Sequence, residues 1–298
     1  GFTLLHLSDL HLDMDPAYPA ALIERLQQVD YDICVMTGDF RAKTYGDHDA
    51  AIAALAEVRP HLRGPVYAIL GNHDSIRMVP GIEALGIGLL LNESVVLERD
   101  GARIHLAGID DPHYYQVDNF DKAADHVPPE EVSILLSHSP ETYRHAAHAN
   151  FDLMLSGHTH AGQITLARLN EIALGKLVGH KYVHGLYGAR RPKELDPKGA
   201  VYVSAGIGAS VMPLRVGERG RREVAVFELG CEAPELDEHH AEQPALPGRT
   251  PSEKLKEKRR RQNEAKMWRR EQEAAKQCVG GVRGPSVPIV PGEDLGEG

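Results

Sequence analysis

Cysteine and long apolar runs are scarce in this 298-residue chain, and both absences narrow the class of protein. The three cysteines form neither a paired-thiol metal motif nor a dense disulfide framework, which excludes disulfide-rich folds and favours a reducing compartment. No apolar run reaches the roughly 18 residues that a membrane-spanning helix needs. We therefore expect a soluble, cytoplasmic chain. Because it begins at Gly1 rather than Met, an upstream signal or anchor and an association with the membrane both stay open.

Positive charge is also in deficit, with 33 Lys+Arg against 43 Asp+Glu and a formal net charge of −10. The imbalance lies in residues 1–230, which hold 30 of the acidic and 21 of the basic side chains. An acidic surface repels polyanions, so nucleic acid is a disfavoured partner. Histidine, by contrast, is abundant: most of the 17 lie in or near residues 1–184, which favours metal chemistry.

Strand and helix patterns alternate from the start of the chain. Apolar runs predict strands at 2–7, 33–36 and 66–70, and helical spacing of apolar residues predicts helices at 19–29 and 47–62. This alternation is typical of an α/β fold with a largely parallel sheet. Later runs predict a second sheet packed on the first, with strands at 89–97, 103–109, 132–137, 151–155, 163–167, 200–204 and 223–229 and a helix at 140–149.

The alternation stops near residue 230, which divides the chain. We expect a folded domain over 1–230 and a charged, mostly disordered tail over 231–298. Within the tail, residues 252–277 carry ten Lys or Arg and five Glu with few apolar anchors. This stretch predicts at most a basic helix that is transient or stabilised by a partner.

Polar side chains follow five of the predicted strands, at the point where each strand ends. The segments are Asp9-Leu10-His11, Gly38-Asp39, Gly71-Asn72-His73-Asp74, Ser137-His138 and Gly157-His158-Thr159-His160. Because the carboxyl ends of parallel strands meet at one edge of a sheet, we expect these segments to converge in one cleft. Seven candidate ligands, four imidazoles, two carboxylates and an amide, would then lie together, which is the composition of a two-metal site.

This mixture of ligands favours two divalent or trivalent ions, with Mn, Fe or Zn preferred over a pure Mg or Ca cage. Alternation along a strand puts Asp9 and His11 on one face, so both can reach one ion. Asp39, in a tight turn after Gly38, is the natural bridge between two ions. Taken singly, each segment has an ordinary alternative, such as a helix cap at His138, but the ordered set favours the metal site.

The five segments, in this order and over roughly residues 2–229, resemble the calcineurin-like metallophosphoesterases. The resemblance implies a four-layer αββα sandwich of two mixed β-sheets flanked by helices. It also implies that two ions share Asp39, with Asp9, His11, Asp39 and His160 on one ion and Asp39, Asn72, His138 and His158 on the other.

A bridged pair of ions implies a phosphoesterase in which a hydroxide shared by the ions attacks phosphorus. His73, next to Asn72, is then placed to stabilise the phosphoryl group or to protonate the leaving oxygen. Asp74 would orient His73 and raise its basicity. We therefore expect His73 and Asp74 to be the catalytic side chains.

A narrower resemblance concerns the substrate. Gly157–Gln163 and Gly185–Tyr187 look like the bacterial branch that includes YkuE-type and YaeI-type phosphodiesterases, some relatives of which hydrolyse the pyrophosphate of UDP-diacylglucosamine. The resemblance implies a phosphodiesterase or pyrophosphohydrolase acting on a small nucleotide or a nucleotide-linked lipid, so a lipid-linked substrate and peripheral membrane contact stay open. Two alternatives remain, a non-catalytic binding scaffold on the same fold and a nuclease assisted by the basic tail. The oligomeric state is not predicted.

Three further groups are weaker candidates for contacts with substrate. Arg215 could contact a phosphate, because guanidinium matches phosphate bidentately. Tyr114-Tyr115 could form a platform against a base or an acyl chain, although a loop packed on the rim is an equal alternative. His180 and His184 lie in a predicted loop that could reach the cleft.

Overall fold

The computed structural model describes residues 2–99, 101–162, 182–188, 199–209, 215–217 and 220–230. The predicted strand at 163–167, the tail at 231–298 and its helix at 252–277 lie outside these residues. The division of the chain into a domain and a tail therefore stays a prediction.

Strands and short helices alternate through the described residues. The strands are β1 (Phe2–Leu7), β2 (Ile33–Met36), β3 (Val66–Ala68), β4 (Gly88–Leu89), β5 (Glu93–Arg99), β6 (Ala102–Gly108), β7 (Val132–Leu136), β8 (Leu153–Ser156), β9 (Gly185–Gly188), β10 (Ala200–Val203) and β11 (Ala225–Leu229). The α-helices are α1 (Ala17–Leu26), α2 (Asp49–Val58), α3 (Val79–Ala84), α4 (Phe120–Ala124) and α5 (Tyr143–His148). Among these helices, none has both the length and the apolar character required to cross a membrane.

The strands form two mixed sheets. The first has the order β11-β1-β2-β3-β4, in which β1 to β4 are parallel and β11 is antiparallel to β1. The second has the order β5-β6-β7-β8-β10-β9, in which the four central strands are parallel and the outer strands β5 and β9 are antiparallel to their neighbours. The central strands are almost continuously apolar because both of their faces are covered.

Three apolar clusters separate the layers. One lies between the first sheet and α1, α2 and α3, where Leu22 and Leu55 pack near Met36. A second lies between the two sheets, and a third lies between the second sheet and α4 and α5. The predicted α/β sandwich of two mixed sheets flanked by helices is therefore confirmed.

The predicted strand at 89–97 is wrong as a single element. Its first residue, Leu89, belongs to β4 in the first sheet, and residues 93–97 belong to β5 in the second sheet. Asn92, at φ 62°, turns the chain between the sheets. Asparagine reaches this left-handed region at low cost, so the turn breaks an apolar run without a glycine or proline to mark it.

Two helices were absent from the sequence prediction. They are α3 and α4, of six and five residues, which are too short to show a clear helical repeat. The predicted helix at 140–149 divides into a 3₁₀ turn, Pro140–Thr142, followed by α5.

Candidate metal centre

The strand ends that carry the seven candidate ligands meet where the two sheets face each other. Asp9 and His11 follow β1, Asp39 follows β2, Asn72 follows β3, His138 follows β7, and His158 and His160 follow β8. The sequence predicts that these segments converge at the edge of one sheet. In the structure the cleft is formed by both sheets, because β7 and β8 belong to the second sheet. His138 Nδ1 donates to the Thr37 carbonyl at 2.7 Å across this boundary.

One group of ligand atoms contains Asp9, His11 and His160. His160 Nε2 lies 3.4 Å from Asp9 Oδ1 and 3.3 Å from His11 Nε2. All three side chains are buried, with exposed fractions of 5% or less. These atoms are close enough to bind one ion together.

A second group contains Asn72, His138 and His158. Asn72 Oδ1 lies 2.9 Å from His138 Nε2 and 2.9 Å from His158 Nδ1. An amide oxygen and two imidazole nitrogens thus converge on one point at the other end of the cleft. This donor set suits a transition-metal ion.

Asp39 lies between the two groups. Its Oδ2 is 3.3 Å from His138 Nε2 in the second group and 3.8 Å from His11 Nε2 in the first. A carboxylate that faces a ligand from each group is placed to touch two ions. The division of ligands implied by the sequence resemblance is compatible with these positions and stays a prediction.

The hydrogen bonds of two imidazoles fix which nitrogen faces the cleft. Nδ1 of His11 donates to the Arg41 carbonyl at 2.8 Å, as His138 Nδ1 does to Thr37. Because a carbonyl only accepts, Nδ1 carries the proton in each ring and Nε2 is left for a ligand. Metal-binding histidines usually have such a partner, so these residues fit a pair of bound ions.

Burial also shapes the charges of these imidazoles. Burial lowers the pKa of His158 to about 4 and that of His160 to about 3, so both rings are neutral at pH 7. For His138, burial opposes ionisation, but the Asp39 carboxylate outweighs it and raises the pKa to about 10. His138 is therefore protonated and pairs with the Asp39 carboxylate. A bound cation would take the place of this proton and neutralise the same carboxylate.

The backbone is strained at most of the candidate ligands. Five of the seven have left-handed φ angles between 42° and 71°, namely Asp9, His11, Asp39, His158 and His160. For residues with a Cβ this conformation costs roughly 1–2 kcal/mol each. Strain of this kind is concentrated at functional sites, where the surrounding structure maintains it.

His73 lies at the edge of the cleft, whereas Asp74 lies beneath it. Nδ1 of His73 is 2.7 Å from the Ala42 carbonyl, and Nε2 is 3.9 Å from Asp39 Oδ2. We expected Asp74 to orient the His73 ring. Its carboxylate instead accepts from the backbone N–H groups of Asp39 at 2.7 Å and Gly71 at 2.9 Å. Asp74 is fully buried, and these hydrogen bonds connect it to the turn that carries Asp39.

A buried chain of hydrogen bonds leads from His6 to Asp9. Ser8 donates its hydroxyl to Asp9 Oδ2 at 2.7 Å, and the Thr37 hydroxyl donates to Ser8 Oγ at 2.7 Å. Each hydroxyl has one hydrogen, so Thr37 accepts from His6 Nε2 at 2.9 Å. All four side chains have no exposed surface. No local pattern in the sequence predicts this chain, because Thr37, which connects His6 to Ser8, is 31 residues from His6.

The weaker candidates have other partners. Arg215 Nη2 lies 3.0 Å from His160 Nδ1 and donates to the Ala205 carbonyl, so its guanidinium is held next to a candidate ligand. His184 Nε2 lies 3.0 Å from the Glu223 carboxylate. His180 lies outside the described residues. His113, which the sequence analysis did not single out, packs against His158 with ring centroids 4.7 Å apart.

Comparison with known proteins identifies the family. A family model described as calcineurin-like phosphoesterase matches residues 2–162. The uncharacterised metallophosphoesterase YkoQ of Bacillus subtilis is 30% identical over 228 residues, which cover 72% of this chain and 80% of that protein. YkuE of the same organism, an uncharacterised metallophosphoesterase, is 29% identical over 241 residues, covering 77% of this chain and 79% of that protein.

A longer relative is a transmembrane protein with a metallophosphoesterase domain from Bos taurus. It is 30% identical over 235 residues, which cover 72% of this chain and 50% of that protein. The residues matched by the family model include strands β1 to β8 and all seven candidate ligands. The chain belongs to the calcineurin-like phosphoesterase family and is a metal-dependent hydrolase of phosphoric esters.

Proposed function

We propose that residues 1–230 form a catalytic domain that hydrolyses a phosphodiester or pyrophosphate bond in a small nucleotide or nucleotide-linked lipid. Two ions would be held by the seven candidate ligands. The observation that carries the proposal is the position of Asp39, whose carboxylate faces one histidine from each ligand group. When bound, the ions supply Lewis acidity that lowers the pKa of a water and stabilises charge on the phosphoryl oxygens.

His73 supplies the proton in this scheme. The Ala42 carbonyl accepts from Nδ1, which directs Nε2 towards the cleft. His73 in its protonated form can then donate from Nε2 to a phosphoryl oxygen or to the leaving oxygen. The ring keeps 18% of its surface exposed, so it can reach a bound substrate.

Asp74 acts through the backbone rather than on substrate. Its carboxylate holds the N–H groups of Asp39 and Phe40, which fixes the turn that presents the shared carboxylate. The Asp39 Oδ1 atom in turn accepts the His73 N–H at 2.8 Å. Asp74 therefore positions Asp39 and His73 together.

A metal analysis combined with a substrate panel tests the proposal. The purified chain should contain about two ions of Mn, Fe or Zn, measured by elemental analysis. It should hydrolyse bis(4-nitrophenyl) phosphate, and the panel should include 4-nitrophenyl phosphate, cyclic nucleotides and UDP-linked sugars. Bound ions without hydrolysis of any of these esters would overturn the proposal and support a binding scaffold.

Two variants separate metal binding from proton donation. Asp39→Asn should abolish turnover, since a neutral amide is a poor bridge, whereas Asp30→Asn on the exposed surface should not. His73→Asn should retain both ions and lower kcat by roughly 10²–10⁴-fold, which is the usual contribution of a general acid. The exposed His61→Asn is its control. Loss of the ions in His73→Asn would instead make His73 a ligand.

A further inference from the structure

The turn after β6, residues 111–115, is held rigidly by one buried carboxylate. Asp111 is fully buried and accepts the backbone N–H groups of His113 at 3.1 Å, Tyr114 at 2.6 Å and Tyr115 at 2.7 Å. We call these residues the Asp111 turn. The Asp111 carbonyl also accepts the Val117 N–H at 3.2 Å, so the backbone is fixed on both sides.

The Asp111 turn contacts the cluster of candidate ligands. At one end, the His113 ring packs against His158, a candidate ligand of the second group. Burial raises the pKa of the Tyr115 hydroxyl, and the charge of the Arg41 guanidinium lowers it. The turn therefore lies beside His158, a candidate ligand of the second group.

The two tyrosines in this turn are exposed despite the rigid backbone. Tyr114 is 61% exposed and Tyr115 is 42% exposed. Their rings are 5.0 Å apart at 83°, an edge-to-face pair that leaves ring surface open to an incoming group. Aromatic rings presented in a fixed geometry next to a reaction centre can bind a ligand at little entropic cost.

Charge decides which kind of group fits. Apart from His113, the ionisable side chains between residues 109 and 119 are Asp110, Asp111, Tyr114, Tyr115 and Asp118, with no lysine or arginine. The Arg41 guanidinium, which acts on Tyr115, already donates to the carbonyls of His73, Gly46 and Thr44. A second phosphate or carboxylate would therefore meet an excess of carboxylates and be repelled here. An uncharged aromatic ring would not, and ring stacking on a tyrosine tolerates many bases.

We propose that the Asp111 turn is a subsite for an uncharged aromatic ring, such as a nucleobase, in the substituent of the phosphodiester that is not expelled. This inference rests on the proposed function, because it places the ring relative to the phosphorus that is attacked. It makes Tyr114 and Tyr115 determinants of specificity, with no part in the bond-breaking step.

Two diesters with the same leaving group test the subsite. Methyl 4-nitrophenyl phosphate and thymidine 5′-(4-nitrophenyl phosphate) both release 4-nitrophenolate, but only the second carries a retained base. The double variant Tyr114→Ala/Tyr115→Ala should raise KM for the thymidine ester about tenfold, the equivalent of roughly 1.4 kcal/mol. Its kcat/KM for the methyl ester should change less than twofold, because that ester does not contact the turn.

Control variants separate stacking from a general loss of structure. Tyr114→Phe/Tyr115→Phe keeps both rings and should retain the preference for the thymidine ester. Tyr45→Ala removes a tyrosine that is 73% exposed on another loop and should leave the preference unchanged. Melting temperatures show whether each variant is folded.

The outcomes distinguish the two proposals. If the wild-type chain hydrolyses the methyl ester but shows no preference for the thymidine ester, or if the double Ala variant keeps that preference, the subsite is wrong and the proposed function stands. If the metal-loaded chain hydrolyses neither diester, the proposed function fails and the subsite fails with it.

Discussion

The Asp9 carboxylate is held by hydrogen bonds through the hydroxyl groups of Ser8 and Thr37, which come from two distant segments of the sequence. In the chain His6–Thr37–Ser8–Asp9, every hydrogen bond runs towards the carboxylate. Donation to Oδ2 leaves Oδ1 to face His160 and stabilises the charged carboxylate that a cation requires. We therefore expect the hydroxyl of Thr37 to affect metal binding without touching a metal ligand.

Thr37→Val tests this expectation because valine has the shape of threonine without the hydroxyl. We expect Mn²⁺ affinity, measured by isothermal titration calorimetry on metal-depleted protein, to fall about tenfold, which is the lower end of the effects of such supporting residues. Thr37→Ser restores a hydroxyl and should bind nearly as the wild type does. Equal affinity in the valine and serine variants would contradict a role for the hydroxyl.

His6 makes stability depend on pH. Burial lowers its pKa from 6.5 to about 4, so the folded chain holds the ring neutral. Its Nδ1 is buried and has no hydrogen-bond partner among the described residues. Between pH 6.5 and pH 4 the unfolded chain binds a proton that the folded chain does not, so stability falls on acidification. His6 should contribute about 2 kcal/mol of this loss between pH 7 and pH 5. Urea unfolding at both pH values should show a smaller loss for His6→Gln, and an unchanged loss would contradict the assignment.

At the scale of elements, the loop after β10 is hydrogen-bonded to the loop after β1, which carries the candidate ligands Asp9 and His11. Ile207 donates its N–H to the Ser8 carbonyl at 3.0 Å, and the Gly208 N–H donates to the Asp9 carbonyl. Gly206 has φ 74°, and a Cβ on it would lie 2.7 Å from the Asp9 Cβ. A glycine is required at this position for both reasons.

Gly206→Ala should therefore weaken both the fold and the metal site. We expect a loss of about 2–4 kcal/mol in the free energy of unfolding, from left-handed strain together with displacement of Asp9. Metal content by elemental analysis should fall as well. Gly101→Ala is a matched control, because Gly101 has φ 80° but nothing within 4 Å of an added Cβ. It should lose stability by strain alone and keep its metal, and similar metal loss in both variants would contradict the contact.

At the scale of the whole molecule, bound ions should stabilise the fold. The Asp9 and Asp39 carboxylates are buried together, and a cation offsets their mutual repulsion. An ion at a hundredfold excess over its Kd adds about 2.7 kcal/mol. For two ions and a domain of this size, chelation should lower the Tm by about 10–20 °C. Calorimetry before and after chelation checks this, with Mn²⁺ added back as the control, and an unchanged Tm after proven metal loss would contradict it.

Local patterns in the sequence were sufficient to predict much of the fold. Apolar runs predict β1, β2 and β7 to within about one residue, and the polar residues after the predicted strands indicate the candidate ligands. These signals are local for two reasons. A strand that is buried on both faces must be apolar along its length. The side chains that bind a ligand in an α/β sheet follow the carboxyl end of a strand, where the chain leaves the core. The break between β4 and β5 was missed because a single asparagine makes the turn.

The sequence by itself determined the family, the two-sheet α/β class and the set of side chains able to hold metal. Only the tertiary structure decided that the cleft is shared between two sheets, that Asp74 lies under Asp39, that His6 supports Asp9, and that His113 packs on His158. The physical reason is separation along the chain. His6 and Thr37 are 31 residues apart, and their contact depends on strand pairing that no local pattern encodes.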